Sequence, residues 1–494
     1  MTPASDQSSA SAPEPRDESR RAVVREVWAI AWPTVLTMAS YTVMQFVDSL
    51  MVSRVGALEV AAQGNGGVWS FAVVAFLFGI LTMVNTFVAQ NVGAGRPDQA
   101  ARFGWTALWF SLLAWLFILL PYAAMLPLVF GLMGHEERLV ELETDYARIL
   151  LVGGIVTLAG KGLSSFFFGI HRPGVVAMSA ILGNVANVGL NFVLIYGEEG
   201  LPEFGLPGIP GTPALGVAGA AIATVCGTAV ELVIPISIFL SNRYHREFAT
   251  RSTWRPSLAS LRELVRVGWP NGLQFGNELI CWAIFMSVLV GTFGSVHMVA
   301  GWSVLRYMHL SFMPTVGFAT ATTALVGRCI GEGRPDAAAR RAHVAVAMAM
   351  VYMTVCAALM FAFRGPLVAI FADGQGDPEL AAEVVAIGST LMICAAVFQT
   401  FDALGIVYAG ALRGAGDTLV PGAVTVGLSW AVIVGFGWWL TANAPGLASL
   451  GPWIASAAYI IVLGVFLAFR FEGGEWRKIR LLSGPVAPTA AGDA

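Results

Sequence analysis

Apolar stretches of about 20 residues or more recur along almost the whole chain, and they limit the folds that it can adopt. A helix of that length crosses the hydrocarbon core of a bilayer. Hydrophobic residues make up 56% of the 494 residues and charged residues only 12%. That charged fraction is about half of what a soluble globular domain carries. The sequence therefore predicts an all-α integral membrane protein.

Apolar runs interrupted by Gly, Pro and charged residues predict twelve transmembrane helices. They cover residues 28–53, 63–90, 103–130, 147–169, 174–197, 216–240, 268–292, 296–327, 342–371, 384–412, 417–441 and 450–470. The five cysteines lie in or at the ends of these spans and show no CxxC spacing. We interpret them as packing residues rather than as metal ligands or disulfide-forming cysteines.

The distribution of Lys and Arg predicts the orientation of the chain. An even number of spans places both termini on one side of the membrane. Of the 28 Lys and Arg residues, we place 22 at the termini or in even-numbered connections. Four fall on the other side (Arg54, Arg138, Arg148 and Arg364), and Lys161 and Arg306 lie deep inside spans. By the positive-inside rule we expect a multi-pass protein of the inner (plasma) membrane with both termini in the cytoplasm.

An internal repeat relates the two halves of the sequence. Residues 87–102, FVAQNVGAGRPDQAAR, align without a gap with residues 325–340, LVGRCIGEGRPDAAAR, at an offset of 238. Because that offset contains six spans, the two halves have the same orientation in the membrane. We predict two parallel six-helix bundles with a cavity between them. The two bundles would rock against each other during alternating access.

The repeat divides the chain into five predicted segments. These are a disordered cytoplasmic tail (1–24), an N-terminal six-helix bundle (25–242), a cytoplasmic linker (243–262), a C-terminal six-helix bundle (263–474) and a cytoplasmic tail (475–494). Both tails contain small, polar and Pro-rich stretches, a composition typical of disorder.

Four stretches together resemble a known family. They are WPTVLTMASYTVMQFVDSLMVSRVGALEVAA in the first span, NVGLNFVLIYG in the fifth, WPNGLQFGNELICWAIF in the seventh and FQTFDALGIVYAGALRGAGDT in the tenth. Over roughly residues 25 to 470 the chain resembles a multidrug and toxic compound extrusion (MATE) transporter of the NorM-like branch. The resemblance implies a secondary active efflux antiporter. Such a protein exports drug-like amphiphiles or organic cations in exchange for inward Na⁺ or H⁺.

Three carboxylates inside spans are the candidate cation-binding residues. A charge at the centre of a bilayer costs about 2.5–3.5 kcal/mol even on insertion scales, so it is usually functional. Glu278 and Asp402 lie in the second half at similar depth and could share a Na⁺ or a proton. Each could instead hydrogen-bond the backbone at a helix kink. Asp48, near the outer end of the first span, could attract a cationic substrate or exchange protons, or it could be an interfacial residue.

Five further residues are candidates for the substrate cavity. Asn187 and Asn191 are one helical turn apart, which suits either a cavity wall or hydrogen bonds between helices. Arg306 should face the cavity or a carboxylate. In the cavity, its charge would favour anionic or zwitterionic substrates over cations. Trp302, one turn earlier, would reshape the same wall, and we place Gln399 there as well.

Two other pairs of residues carry structural expectations. Lys161 and Glu231 lie at equal depth in one bundle, which predicts an ion pair. Pro33 and Pro270 occupy equivalent places in the two halves. Each could kink its helix or lie harmlessly at the helix start.

Two alternative functions fit the composition less well. A lipid-linked oligosaccharide or lipid flippase of the same superfamily would need several basic residues in its cavity, and only Lys161 and Arg306 lie inside the predicted spans. A membrane-embedded enzyme would need a histidine constellation at membrane depth, which the six histidines do not supply. We therefore expect no enzymatic activity, no cofactor apart from the coupling Na⁺ or H⁺, and no nucleic-acid partner. We also expect a monomer in the lipid bilayer that handles a small-molecule substrate.

Overall fold

The computed structural model of the protein describes residues 19–201, 207–372 and 378–482. In this part of the chain eleven helices are long and apolar enough to cross a membrane, and a bent helix pair completes a set of twelve spans. They are Arg20–Ser53, Leu58–Gly93, Pro97–Gly131, the pair Glu137–Val152 and Gly154–Gly169 with a bend of 46°, Pro173–Tyr196, Gly216–Phe239, Leu258–Phe293, Ser295–Gly331, Pro335–Ala362, Pro378–Ala415, Leu419–Asn443 and Leu450–Glu472. The predicted all-α fold with twelve spans is confirmed.

Both termini lie on the same side of the molecule, which we call the terminal side. Several spans extend beyond their predicted ends on this side. The first span begins at Arg20, inside the predicted tail 1–24, and Ser19 caps it. The seventh begins at Leu258, inside the predicted linker 243–262, and Ser257 caps it. These extensions carry charged residues that lower the local hydropathy although the helix continues. The remaining predicted tail residues, 1–18 and 483–494, lie outside the described residues.

The halves pack as the 238-residue repeat requires. The first span packs against the eighth and the second against the seventh, while the second and eighth spans cross each other. At this crossing a Cβ on Gly93 would lie 2.1 Å from the carbonyl oxygen of Arg328. One on the equivalent Gly331 would lie 2.0 Å from the carbonyl oxygen of Gln90. Backbones approach this closely only where the residue has no side chain.

One turn type ends four spans on the terminal side. In each, a backbone N–H donates to the carbonyl five residues earlier, at 2.8–2.9 Å, and the residue before the donor has a positive φ. The positive-φ residues are Gly95, His171, Gly333 and Gly416. This is the Schellman helix end, in which glycine is favoured because it adopts the left-handed region without strain. The repeated GRPD sequence is therefore a helix-terminating turn.

In the described part of the chain, the hydrogen bonds between the bundles lie toward the terminal side. Asn85 donates to the carbonyl of Thr320 at 3.1 Å, and Gln90 donates to that of Gly414 at 2.9 Å. Farther from the termini, Asn271 donates to the carbonyl of Gly79 at 2.6 Å. Among the described residues, no hydrogen bond between the halves lies beyond that level. The space between the bundles is thus closed at the terminal side, and its floor lies near Asn271.

Candidate ion and substrate site

Glu278 and Asp402 lie in the same half, on the seventh and tenth spans, where the charge of Glu278 acts on Asp402. Both side chains are partly exposed although they lie well inside their spans. Gln274 donates to Glu278 Oε1 at 3.3 Å. The pairing expected from the sequence is therefore geometrically available in the C-terminal bundle.

Four residues that sequence reasoning missed, Asn277, Ser429, Trp430 and Tyr459, belong to the surroundings of this carboxylate pair. Asn277, next to Glu278, donates to Ser429 Oγ at 2.8 Å and accepts from Trp430 Nε1 at 2.7 Å. These bonds fix the seventh span to the π-helical segment Ser429–Phe436 of the eleventh. Tyr459 is buried within electrostatic range of both acids, and its hydroxyl has no hydrogen-bond partner in the described part of the chain.

This donor set suits a small hard cation or a proton. Within residues 19–201, 207–372 and 378–482 no group of three His, Cys, Asp or Glu side chains could hold a metal ion. A cation at Glu278 and Asp402 would therefore complete its shell with neutral oxygens, such as the Tyr459 hydroxyl and water. Carboxylate, hydroxyl and water oxygens are the ligands that hard cations prefer.

Asp48 lies in a separate cluster inside the N-terminal bundle, so the three candidate acids do not form one site. It is buried and accepts from Asn191 Nδ2 at 2.5 Å, while Asn191 also donates to Asn187 Oδ1 at 3.3 Å. In the described residues, Asn187 Nδ2 and Asn191 Oδ1 have no partner. Hydrogen bonding between helices, one of the two readings of these asparagines, is the arrangement observed.

The other predicted cavity residues lie in different environments. Trp302 and Arg306 are exposed, and the Arg306 guanidinium lies 5.1 Å from the ring centroid of Phe371. Gln399 is fully buried and donates to Ser311 Oγ at 2.5 Å. The placement of Gln399 on a cavity wall is corrected, because the side chain lies inside the packing of the C-terminal bundle.

The Lys161–Glu231 ion pair expected from the sequence does not form directly. Glu231 accepts a short hydrogen bond from the Tyr41 hydroxyl. Lys161 Nζ lies 5.5 Å from the ring centroid of Phe78, and in the described residues it makes no ion pair. The two charges act on each other only through space. The Tyr41 hydroxyl, on the first span, is the direct hydrogen-bond partner of the Glu231 carboxylate in place of Lys161.

Arg413 is the interior charge that the sequence analysis left outside the membrane. The tenth span, predicted to end at residue 412, continues to Ala415, so Arg413 belongs to the helix. Its guanidinium lies 5.9 Å from the ring centroid of Phe275, and it acts electrostatically on Lys161 and Glu278. The interior charges Glu231, Lys161, Arg413, Glu278 and Asp402 thus form one electrostatic series that connects the two halves.

Pro33 and Pro270 both lie inside their helices, and both are buried. The alternative that they sit at the helix start is therefore wrong. The helices begin at Arg20 and Leu258, well before the prolines. Each proline removes one backbone donor within a long helix and is a point where the helix can bend.

Two six-helix bundles, in contact with each other at one end and with charges inside their spans, have the architecture of a membrane transporter. The MatE family model matches residues 33–193 and 278–439, which together are more than half of the chain. The chain belongs to the MatE family. The two matched segments fall in the two halves that the sequence repeat relates.

Proteins of similar sequence carry NorM names. The chain is 30% identical over 476 residues to the probable multidrug resistance protein NorM of Burkholderia mallei, which covers 96% of this chain and 97% of the relative. It is 29% identical over 475 residues to the protein of the same name from Burkholderia pseudomallei, with the same coverage of both chains. The NorM-like character predicted from the sequence is confirmed.

Solved structures of similar fold are MATE proteins. A MATE crystal structure in complex with MaL6 superimposes with a TM-score of 0.82 at 21% identity, covering 92% of this chain and 98% of the other. A structure described as the outward-facing conformation of a multidrug resistance MATE transporter gives a TM-score of 0.79, covering 92% and 97%. At this identity the similarity shows the fold alone.

Proposed function

We propose that this protein is a secondary active multidrug efflux antiporter that exports drug-like amphiphiles in exchange for inward Na⁺ or H⁺. The names of its NorM relatives support multidrug export. The observation that carries the exchange mechanism is the carboxylate pair Glu278 and Asp402, which is partly exposed in a space closed at one end. Two like charges within electrostatic range of each other favour uptake of a compensating cation.

Uptake of that cation would couple to the packing of the bundle. Without the cation, the two carboxylates repel each other across the seventh and tenth spans. A bound Na⁺ or proton removes the repulsion and lets these helices approach. Asn277 joins the seventh span to the eleventh, so such a movement would extend through the bundle. Substrate and cation would then favour different arrangements of one cavity, as exchange requires.

The remaining parts of the proposal concern placement and partners. We place the protein in the inner membrane with both termini in the cytoplasm, so that the closed side faces the cytoplasm and the cavity opens outward. We propose a monomer whose partners are the bilayer, the coupling ion and a small-molecule substrate. The support is the excess of Lys and Arg on the terminal side.

The test is dye efflux from proteoliposomes driven by an imposed Na⁺ gradient and, separately, by a pH gradient. One gradient should drive efflux by the parent protein, and Asp402→Asn and Glu278→Gln should abolish it. Asp336→Asn is the matched control, because this exposed carboxylate pairs with Arg477 on the terminal side. Gradient-driven efflux that survives in Asp402→Asn would contradict the proposed ion site.

A further inference from the structure

We propose that the cavity selects zwitterionic amphiphiles, with the substrate's carboxylate between Lys161 and Arg413 and its cationic group toward Glu278 and Asp402. This inference rests on the proposed efflux function, because it names the class of substrate that the same cavity takes. It differs from the expectation of organic cations that the family resemblance brought.

The position of the two cations supports an anion subsite at the floor of the cavity. Lys161 and Arg413 are each partly exposed. Lys161 belongs to the N-terminal bundle and Arg413 to the C-terminal bundle. Each lies beside an aromatic ring, Lys161 at 5.5 Å from Phe78 and Arg413 at 5.9 Å from Phe275.

Those rings lie at the level where the bundles meet. On the second span, Phe78 precedes Gly79, whose carbonyl accepts from Asn271 of the seventh span. Phe275 follows Asn271 by one helical turn on that span. The two basic side chains therefore approach the contact between the halves from opposite bundles.

The direction of the helices determines which way both basic side chains point. The fourth and tenth spans both run toward the terminal side, since each ends there in a Schellman turn. Side chains of a helix tilt toward its N-terminus. Lys161 and Arg413 therefore reach along their helices, away from the closed end.

The two cations have no direct ionic partner in the described part of the chain. Arg413 repels Lys161, and the carboxylates in range, Glu231 and Glu278, act only through space. Glu231 already accepts from Tyr41, and Glu278 accepts from Gln274. An anion bound between the cations would remove their repulsion and gain hydrogen bonds from both.

The charges follow an order that matches a zwitterion. Lys161 is within electrostatic range of Arg413, Arg413 of Glu278, and Glu278 of Asp402. Two basic groups are thus followed by two acidic groups. A molecule with one carboxylate and one cationic centre would meet an opposite charge at each end. The partly exposed rings of Phe78 and Phe275 add apolar surface beside the two cations.

Equilibrium binding of two matched dyes to the purified protein in detergent tests this proposal. Rhodamine B carries a carboxylate and a delocalised cation, while its ethyl ester keeps the cation and loses the carboxylate. By fluorescence anisotropy, the parent protein should bind rhodamine B about tenfold more tightly than the ester, as one charge-assisted contact allows. Lys161→Gln should remove this preference, and Lys161→Arg should retain it.

Arg364→Gln is the matched control, because this partly exposed guanidinium also lies over a ring, that of Phe361, but far from the cavity floor. It should leave both affinities unchanged. Equal affinity of the parent protein for both dyes, preference for the ester, or binding of neither would overturn the proposal without any variant. An equal loss of affinity for both dyes in a folded Lys161→Gln protein would also overturn the proposal.

The failure of this proposal can be told from failure of the efflux proposal. Binding in detergent needs no gradient, so a carboxylate preference without gradient-driven efflux would contradict only the antiport mechanism. Gradient-driven efflux of the ester in preference to rhodamine B would contradict only the zwitterion selectivity.

Discussion

Three acids inside the spans accept hydrogen bonds from neutral donors. Asp48 accepts from Asn191, Glu231 from Tyr41 and Glu278 from Gln274. A direct partner of opposite charge would neutralise the acid permanently. A neutral donor stabilises the carboxylate but leaves its charge for a mobile ion or substrate to balance.

The bond between Tyr41 and Glu231 is a testable case at this scale. Tyr41→Phe removes a hydrogen bond to a charged group and should lower the free energy of unfolding by about 1.5–3 kcal/mol. Adding Tyr41→Phe to Glu231→Gln should cost less than that, because the carboxylate it served is gone. Thermal unfolding in detergent, followed by tryptophan fluorescence, measures both steps.

The corresponding cycle between Lys161 and Glu231 is the control. These charges act only through space, so their coupling should be smaller than that of the Tyr41 pair. A larger coupling between Lys161 and Glu231 would restore the direct ion pair that the sequence predicts.

Sequence reasoning found some members of the site and missed others for physical reasons. Glu278 and Asp402 stand out because a carboxylate in an apolar run is costly and rare. Arg413 does not, because it follows the apolar run and looks like an ordinary cytoplasmic arginine. Tyr41 and Tyr459 give no signal, since tyrosine is common in membrane helices. Which helix a side chain meets depends on packing that hydropathy does not describe.

At the scale of helices, the sequence predicts the number and order of the spans but not their lengths. Hydropathy ends a span where charges begin, whereas the helix ends where a capping residue or a turn stops it. The seventh span shows the difference, since it starts at Ser257 and Leu258 instead of residue 268. The repeat at offset 238 predicts two parallel bundles, and its two copies lie at the ends of the second and eighth spans, which cross in the structure.

The close crossing of the second and eighth spans predicts that a larger residue at either glycine destabilises the protein. Gly93→Ala or Gly331→Ala places a methyl group in contact with a carbonyl oxygen of the facing helix. Overpacking of this kind costs about 1–3 kcal/mol, so thermal unfolding should occur at a lower temperature in each variant.

Gly64→Ala is the control on the same second span. A Cβ at Gly64 meets no atom within 4 Å. Alanine there should be neutral or should stabilise the helix by about 0.5–1 kcal/mol. If Gly93→Ala behaves like Gly64→Ala, the close crossing is not present in the membrane.

At the scale of the whole molecule, the proposed exchange mechanism predicts that contacts at the terminal side set the balance between the two open states. Asn271 is buried there and donates to Gly79 O at 2.6 Å and to Thr82 Oγ1 at 2.8 Å. Asn271→Ala removes both bonds between the halves. We expect a shift toward the state open on the terminal side, since each lost bond is worth about 0.5–1.5 kcal/mol.

Distances between spin labels measure that shift. Leu132 and Ile370 are exposed positions related by the 238-residue repeat, at the opposite end of the bundles from the termini. In a background without the five native cysteines, Leu132→Cys and Ile370→Cys labels should gain a shorter distance in Asn271→Ala. Asn443→Ala is the control, because Asn443 is exposed and bonds only Trp439 of its own helix. An unchanged distance distribution in Asn271→Ala would contradict this role.

The orientation of the chain is tested by labelling with a membrane-impermeant thiol reagent. In intact cells, Gly446→Cys in the connection between the last two spans should react. Ser252→Cys in the Arg-rich connection between the sixth and seventh spans should react only after permeabilisation. Both positions are exposed, so the membrane alone decides their reactivity. The reverse pattern would invert the predicted topology.

The glycine crossing of the second and eighth spans also bears on leakage. Side chains at a helix interface can rotate and admit a file of water, but backbones in contact at Gly93 and Gly331 leave no space for one. Without water, protons and Na⁺ have no conducting route through the closed end. The resting protein should therefore insulate the membrane electrically, and ions should cross only with a completed conformational cycle.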